Sequence, residues 1–277
     1  MILFSKYHGC GNSFVIVKEK DLSLTTDESG YPEAAQKLCD MHIGVGADGM
    51  IVVREKPALE MVFYNCDGSR APMCGNGIRC FAHFCREEEI RMENSYPVRT
   101  LAGEMIVDVT CEDPFMARIN MGKPLFSEEA VGIESGESGG LDRILILDDG
   151  SEYEIHSLFM GTVHTVVFVD SFDDMDIAAI GEKICDHPTF REKTNVNFVK
   201  IVDRETLRVK TYERGVGVTL ACGTGACASV VSAYEQGVCG RDVEVLLELG
   251  SLHIHLDNEY NVYMEGPSVK IMSGEFC

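Results

Sequence analysis

Apolar positions in this chain form two short helical stripes set among many stretches of strand character. After Cys74, the residues Ile78, Phe81, Ala82 and Cys85 stand at i, i+3, i+4 and i+7, the spacing that lines one face of a packed helix. After Cys222, the residues Cys227, Val230, Val231 and Tyr234 repeat that spacing, and Gly237 is placed to end the second helix. Strand formers bounded by turn residues occupy 61–64, 105–109, 143–147 and 243–247. A further helical pattern covers 33–41, and the stretch 128–140, dense in Glu, Ser and Gly, reads as a loop beside a linker. The pattern predicts an α/β (α+β) fold in which each half is a mixed or antiparallel sheet wrapped around one helix.

The two stripes belong to a duplication. Cys74-Gly75-Asn76-Gly77 and Cys222-Gly223-Thr224-Gly225 open the two helices, and other elements recur at nearly the same offset. Gly11-Asn12 runs into Phe14-Val15-Ile16-Val17, and Gly161-Thr162 runs into Val166-Val167-Phe168-Val169. Tyr64-Asn65 precedes Cys74 by the same interval as Tyr212-Glu213 precedes Cys222. With so long a period the repeat means two related domains rather than a solenoid, and a length of 277 residues agrees.

Charge narrows the partners. A formal net charge of -21 is opposed to the phosphate-neutralising surface that nucleic-acid binding requires, so a small-molecule partner is expected and no nucleic acid. No apolar run approaches the roughly 18 residues that span a bilayer, and Met1-Ile2-Leu3-Phe4 stops at Lys6 without a basic leader; a cytoplasmic protein with no membrane partner is expected. Twelve cysteines could build a disulfide framework, but such frameworks belong mostly to short secreted domains. Reduced, buried thiols are expected at Cys10, Cys39, Cys66, Cys111, Cys185, Cys239 and Cys277, and the helix register accounts for Cys80 and Cys85.

Cys74 and Cys222 are different, because each stands at a helix N-terminus. There the unpaired amide N–H groups and the positive end of the helix dipole stabilise an anion, lowering a thiol pKa from about 8.5 and creating a place for a carboxylate. The glycines of each loop let a ligand approach the backbone. One thiolate and one thiol make an acid–base pair suited to inverting a carbon by proton exchange. Two other patterns are set aside. Gly44-Val45-Gly46-Ala47-Asp48-Gly49 matches a dinucleotide-binding loop, yet no strand leads into it and β-rich sequence follows. His253 and His255 share one face of a strand without further ligands, so no metal site is expected.

The sequence resembles the diaminopimelate epimerase family. The resemblance is carried by His8-Gly9-Cys10-Gly11-Asn12, by Asn65-Cys66-Asp67-Gly68-Ser69 through Met73-Cys74-Gly75-Asn76-Gly77-Ile78-Arg79-Cys80, by Thr194-Asn195-Val196-Asn197-Phe198, and by Glu213-Arg214-Gly215 through Ala221-Cys222-Gly223-Thr224-Gly225-Ala226-Cys227-Ala228. It implies two pseudo-symmetric domains, one over 1–120 completed by a C-terminal strand at 266–277 and the other over 121–265. Each is expected to be a mostly antiparallel, barrel-like sheet around a central helix. It also implies a cofactor-independent epimerase, a homodimer, that interconverts LL- and meso-diaminopimelate in lysine and peptidoglycan precursor synthesis. Cys74 and Cys222 match the catalytic positions. Asn12, Asn65, Gly75, Asn76, Thr162, Asn195, Glu213, Arg214, Gly223 and Thr224 match the substrate-binding ones. Independently of kinship, the Arg fork suits a second carboxylate and Glu an ammonium.

The chain departs from the family pattern at three places. Thr162 stands where Asn is usual, Ser13 where Asp is usual, and Val218 where Glu is usual. A racemase of another amino acid, for instance histidine, is therefore the alternative. A non-catalytic amino-acid-binding protein has less support, because a binder has no use for two thiols.

Overall fold

The computed structural model describes residues 1–22, 28–133 and 141–277. Two compact units divide the chain: Met1–Ile119 with Glu265–Cys277, and Asn120–Met264. In chain order the elements are β1 (Ile2–Gly9), β2 (Asn12–Lys18), α1 (Tyr31–Cys39), β3 (Gly49–Arg54), β4 (Glu60–Asn65), β5 (Arg70–Ala71), α2 (Gly75–Glu87), β6 (Ser95–Thr100), β7 (Gly103–Glu112) and β8 (Phe115–Asn120). There follow α3 (Glu128–Val131), β9 (Asp142–Ile146), β10 (Glu152–Phe159), β11 (Val163–Phe168), α4 (Ile177–Cys185), β12 (Asn195–Asp203), β13 (Thr206–Glu213), β14 (Gly217–Thr219), α5 (Gly223–Glu235), β15 (Asp242–Leu247), β16 (Gly250–Leu256) and β17 (Val262–Pro267). The last strand, β18 (Val269–Phe276), belongs to the first unit.

Strand pairing repeats from one unit to the other. In the first, β18, β1 and β2 are antiparallel in turn, β2 lies parallel to β3, and β3 is antiparallel to β4. β4 then bridges β6 in parallel, and β6, β7 and β8 continue antiparallel. In the second, β9, β10 and β11 are antiparallel, β11 lies parallel to β12, β12 is antiparallel to β13, β13 is parallel to β15, and β15 is antiparallel to β16. Short β5 and β14 fold back on β4 and β13. The fold is thus α/β of the α+β kind, with two pseudo-symmetric halves, each a mostly antiparallel sheet around a central helix.

Helices α2 and α5 are the centres. Ten of the thirteen residues of each are buried, so the side away from the apolar stripe is covered as well. Small side chains make this possible: α5 buries Gly223, Gly225, Ala226, Ala228, Ser229, Ser232 and Ala233, and strands of its own unit pack against it. α1 and α4 are secondary. Tyr31, Ala35 and Leu38 of α1 pack on Met50, Val52, Val62 and Tyr64, and Ile177 and Ile184 of α4 pack with Val196 and Phe198. Burying each such side chain contributes about 1.5–3 kcal/mol before the entropy of ordering it is counted.

Two expectations need correction at the level of elements. The helix expected over 33–41 runs over Tyr31–Cys39, because Pro32 favours a start there and Asp40 turns the chain by accepting the N–H groups of His42 and Ile43 at 2.7 and 2.9 Å. The loop expected over 128–140 begins instead as the helical turn α3. Ser127 Oγ caps it by accepting the Ala130 N–H at 3.2 Å, and Gly132, at φ 76°, ends it. Residues 134–140 lie outside the described residues. No helix among the described residues is long and apolar enough to cross a membrane.

Gly181 shows how tightly α4 lies on its sheet. A Cβ there would come within 2.6 Å of Tyr212 Cβ. Gly181→Ala should therefore destabilise the protein, because overpacking costs about 1–3 kcal/mol and the helix-propensity gain of Ala over Gly, at most ~1 kcal/mol, offsets only part of it. The expected observation is a lower urea midpoint with an unchanged m-value.

Candidate functional site

In the first unit, Cys74 is the N-cap of α2. Its backbone is extended (φ -134°, ψ 121°), and its Sγ accepts the Gly77 N–H at 3.4 Å, satisfying one of the four amides that a helix start leaves unpaired. Asn12, which opens β2, places Oδ1 3.8 Å from Cys74 Sγ and 3.3 Å from Asn76 Nδ2. Arg79, one turn further along, donates from Nη1 to Gly75 O at 3.0 Å and from Nη2 to Asn76 Oδ1 at 2.9 Å. The floor under the helix start is apolar: a Cβ on Gly77 would meet Ile51 Cδ1 at 3.2 Å and Met61 Cε at 3.3 Å. Asn65 ends β4 and donates from Nδ2 to Ser69 Oγ at 2.9 Å.

In the second unit, Cys222 is the N-cap of α5, also extended (φ -120°, ψ 110°), with its Sγ 3.5 Å from Thr224 Oγ1. The floor here is polar. A Cβ on Gly225 would lie 2.3 Å from Asn197 Oδ1, which accepts the Thr211 hydroxyl at 3.1 Å, while Asn197 Nδ2 meets His164 Nδ1 at 3.1 Å. Asn195 Oδ1 accepts the backbone N–H of Arg214 at 2.9 Å, and the Arg214 guanidinium donates to Glu192 O at 2.7 Å and to Thr162 Oγ1 at 3.3 Å. Glu213 Oε1 accepts the Thr219 hydroxyl at 2.6 Å. A Cβ on Gly161 would touch Thr224 Cγ2 at 3.4 Å, so the Gly161-Thr162 turn lies beside the start of α5.

Each expected site residue thus falls into one of two local groups. Asn12, Cys74, Gly75 and Asn76 are joined in the first unit, with Asn65 at the head of a neighbouring turn. Thr162, Asn195 and Arg214 are chained together in the second, beside Cys222, Gly223 and Thr224, with Glu213 next to Arg214 in sequence. The departures have local partners too. Ser13 donates its N–H and hydroxyl to Asp48 Oδ2 at 2.7 and 3.2 Å, where an Asp at 13 would face a second carboxylate. Val218 is exposed on β14, opposite Tyr212.

Several supporting residues escaped the sequence reading. Thr211 and Thr219 carry no motif, Asp48 enters only in the Gly44–Gly49 pattern that is set aside, and Arg79 enters only within the stretch that carries the family resemblance, with no role of its own. The one available signal was a lone Arg four residues after Gly75, in reach of the first turn. Of the remaining thiols seven are buried, while Cys66, Cys111 and Cys277 are exposed, against the expectation of buried thiols, because they stand in the turn after β4, near the end of β7 and at position 277. Burial pushes Cys10 up, against the pull of the Arg79 charge, and raises Cys39 and Cys80 to about 12 and Cys239 to about 11. No described cysteine is disulfide-bonded. Gly44-Val45-Gly46 follows a helix and leads into a strand, the reverse of the order in a dinucleotide loop. His255 bonds Asp242 at 2.7 Å on an outer strand face, and among the described residues no group of three or more His, Cys, Asp and Glu could hold a metal.

Known proteins resemble this chain over nearly its whole length. The family model for diaminopimelate epimerase matches residues 4–127 and 157–271. The chain is 37% identical to the diaminopimelate epimerase of Alkaliphilus metalliredigens, over 99% of this chain and 97% of that one. It is 38% identical to that of Pelotomaculum thermopropionicum, over 99% and 98%. Among solved structures, a probable proline racemase from Agrobacterium radiobacter shares the fold, with a TM-score of 0.70 at 14% identity, covering 100% of this chain and 93% of that one.

His164 offers a test of the polar floor. It is fully buried, its Nδ1 accepts from Asn197, and its Nε2, which must carry the proton of the neutral ring, has no hydrogen-bond partner. Burial, with the Arg214 charge second, pushes its pKa down to about 3. Below about pH 6.5 the unfolded chain binds a proton that the folded protein refuses, so stability is lost as pH falls from there toward 3, by up to about 1.4 kcal/mol per unit. Between pH 7 and 5 the urea midpoint should fall more steeply in the wild type than in His164→Gln, and imidazole NMR signals of His164 should not titrate across that range.

Proposed function

We infer the function of this chain from one premise: it belongs to the diaminopimelate epimerase family. The protein is an isomerase that interconverts LL- and meso-diaminopimelate without pyridoxal phosphate, in lysine and peptidoglycan precursor synthesis. The observation that carries this is the twin placement of Cys74 and Cys222, each the N-cap of a buried, glycine-rich helix start in its own unit. Both act as acid–base catalysts. The thiolate of one removes the α-proton, leaving an electron pair and negative charge spread over the α-carbon and carboxylate. The thiol of the other delivers a proton to that carbon with inversion, so the two sulfurs end with their protonation states exchanged. A further turnover in the same sense requires the two sulfurs to return to their starting protonation states by exchange with solvent.

The amides at Gly75-Asn76 and Gly223-Thr224 suit the α-carboxylate, because helix N-termini present N–H groups and positive potential to an anion that gains charge as the proton leaves. Glu213 suits the α-ammonium. Arg214, Asn195, Thr162, Asn12 and Asn65 recognise the far carboxylate and ammonium, Arg214 with the donors not already directed at Glu192 and Thr162. A cytoplasmic location and a homodimeric assembly, the latter measurable by sedimentation, are part of the same proposal.

A racemase of another amino acid is the second reading, and Thr162 is the residue that favours it. A hydroxyl there offers one polar group where an amide offers two, so the lost contact should cost about 1 kcal/mol when water fills the gap. Binding of diaminopimelate is weakened and not abolished.

The decisive experiment follows α-proton exchange in D2O by NMR. LL- and meso-diaminopimelate should acquire deuterium at the α-carbon, and Cys74→Ala and Cys222→Ala should each lose at least about 10²–10⁴-fold in epimerisation while still binding substrate. Near-normal rates in either variant would end the two-thiol mechanism. Thr162→Asn should leave kcat/KM for diaminopimelate unchanged or improve it. A preference of about tenfold or more for histidine, which has no distal carboxylate, would overturn the substrate assignment and leave the thiol chemistry intact.

A further inference from the structure

Arg79 is the largest fully buried side chain among the described residues, 0% exposed. Its side chain runs back toward the start of α2, the direction that helix geometry imposes. Nη1 donates to Gly75 O at 3.0 Å, Nη2 to Asn76 Oδ1 at 2.9 Å and Nε to Pro267 O at 3.4 Å. Gly9 keeps the space open, since a Cβ there would stand 3.0 Å from Nη2. A buried polar group this well enclosed specifies one arrangement of what it touches.

What it specifies follows from its having donors only. Asn76 must turn its oxygen toward the guanidinium, which turns its Nδ2 the other way, toward Asn12 at 3.3 Å. Asn12 must then answer with its oxygen, and that same oxygen lies 3.8 Å from Cys74 Sγ. An amide oxygen can accept from a thiol and can give nothing to a thiolate. We propose that Arg79 is a positioning residue for Cys74: through the side chains of Asn76 and Asn12 it holds an acceptor against the sulfur and keeps Cys74 in its thiol form in the ligand-free protein. At Cys222 the corresponding neighbour is the Thr224 hydroxyl at 3.5 Å, which can donate as well as accept.

The titratable groups around Cys74 leave this effect visible. Cys80, on the same helix, and Cys10, from the turn between β1 and β2, are both buried thiols with raised pKa, so they stay neutral. Arg79 is the charged member of the cluster. Its charge and the start of α2 both favour a thiolate, and the Asn12 oxygen opposes them.

The inference rests on Cys74 being one of the two acid–base groups, but its test needs no turnover. The rate of cysteine alkylation by iodoacetamide follows the thiolate fraction, and peptide mass spectrometry resolves it residue by residue against pH. Arg79→Lys keeps the charge, but its single nitrogen cannot hold Gly75 O, Pro267 O and Asn76 Oδ1 together, so the amides are released. The midpoint for Cys74 should fall by about one unit, a tenfold gain in thiolate below it. Asn76→Ala should lower it equally, and the double variant no further, because both changes break one relay. The midpoint for Cys222 should stay in place throughout. An unmoved Cys74 midpoint in Arg79→Lys, additive shifts in the double variant, or a parallel shift at Cys222 would each overturn the proposal. If Arg79→Lys does not fold, Asn12→Ala removes the facing oxygen at a half-buried position; a midpoint that stays put there has the same meaning. Absence of epimerisation by the wild type would refute the proposed function and leave the alkylation result standing.

Discussion

A helix that begins inside a protein must account for its first four N–H groups, and here it has to do so twice. α2 and α5 both start among buried residues, where water is not at hand to take the unpaired donors. A cysteine as N-cap is a weak acceptor compared with Ser or Asp. The cost is tolerable because a sulfur there, unlike a carboxylate, can exist as an anion or a neutral donor near neutral pH. The glycines that follow suit the same enclosure: a Cβ on Gly225 would collide with Asn197 Oδ1 at 2.3 Å, and one on Gly77 would press on Ile51 Cδ1 at 3.2 Å.

The two halves answer the same constraint with different chemistry. Phe14 pairs with Gly49 across β2 and β3, and His164 pairs with Asn195 across β11 and β12, which makes Ile51 and Asn197 equivalent positions. Their cross-strand partners are Phe63 and Thr211. One half therefore closes its helix start over Ile51 and the Phe14–Phe63 edge contact at 5.8 Å, the other over the hydrogen-bonded trio His164, Asn197 and Thr211. Duplication kept the frame and divergence replaced the lining. Two thiols at matching N-cap positions thus experience unlike surroundings.

Much of this was legible in the residues. The two central helices, their cysteine starts and the end at Gly237, which has φ 72°, followed from spacing and from glycine's freedom at positive φ. The residues that hold the site residues in place were not. Arg79 stands off the apolar stripe of α2, and spacing alone does not say which acceptors a guanidinium there will meet; that depends on residues as far away in the chain as Pro267. Asp48 matters through two hydrogen bonds from Ser13 and Thr219 through one to Glu213, and such pairings leave no periodic trace. The 128–140 stretch misled because composition outweighed the cap at Ser127.

The pairing of β1 with β18 has a consequence for how the protein comes into being. Ile2 lies opposite Phe276 and His8 opposite Val269, so β1 has as its neighbour a strand synthesised after the whole of the second unit. On the ribosome the second unit, continuous in sequence over Asn120–Met264, has all its residues before the first unit has its edge. Until β18 arrives, β1 carries an unpaired row of amides along the edge that β18 later covers. The first unit thus cannot close its sheet until the second has been synthesised, and a chain lacking β18 carries an open sheet edge in place of a paired one.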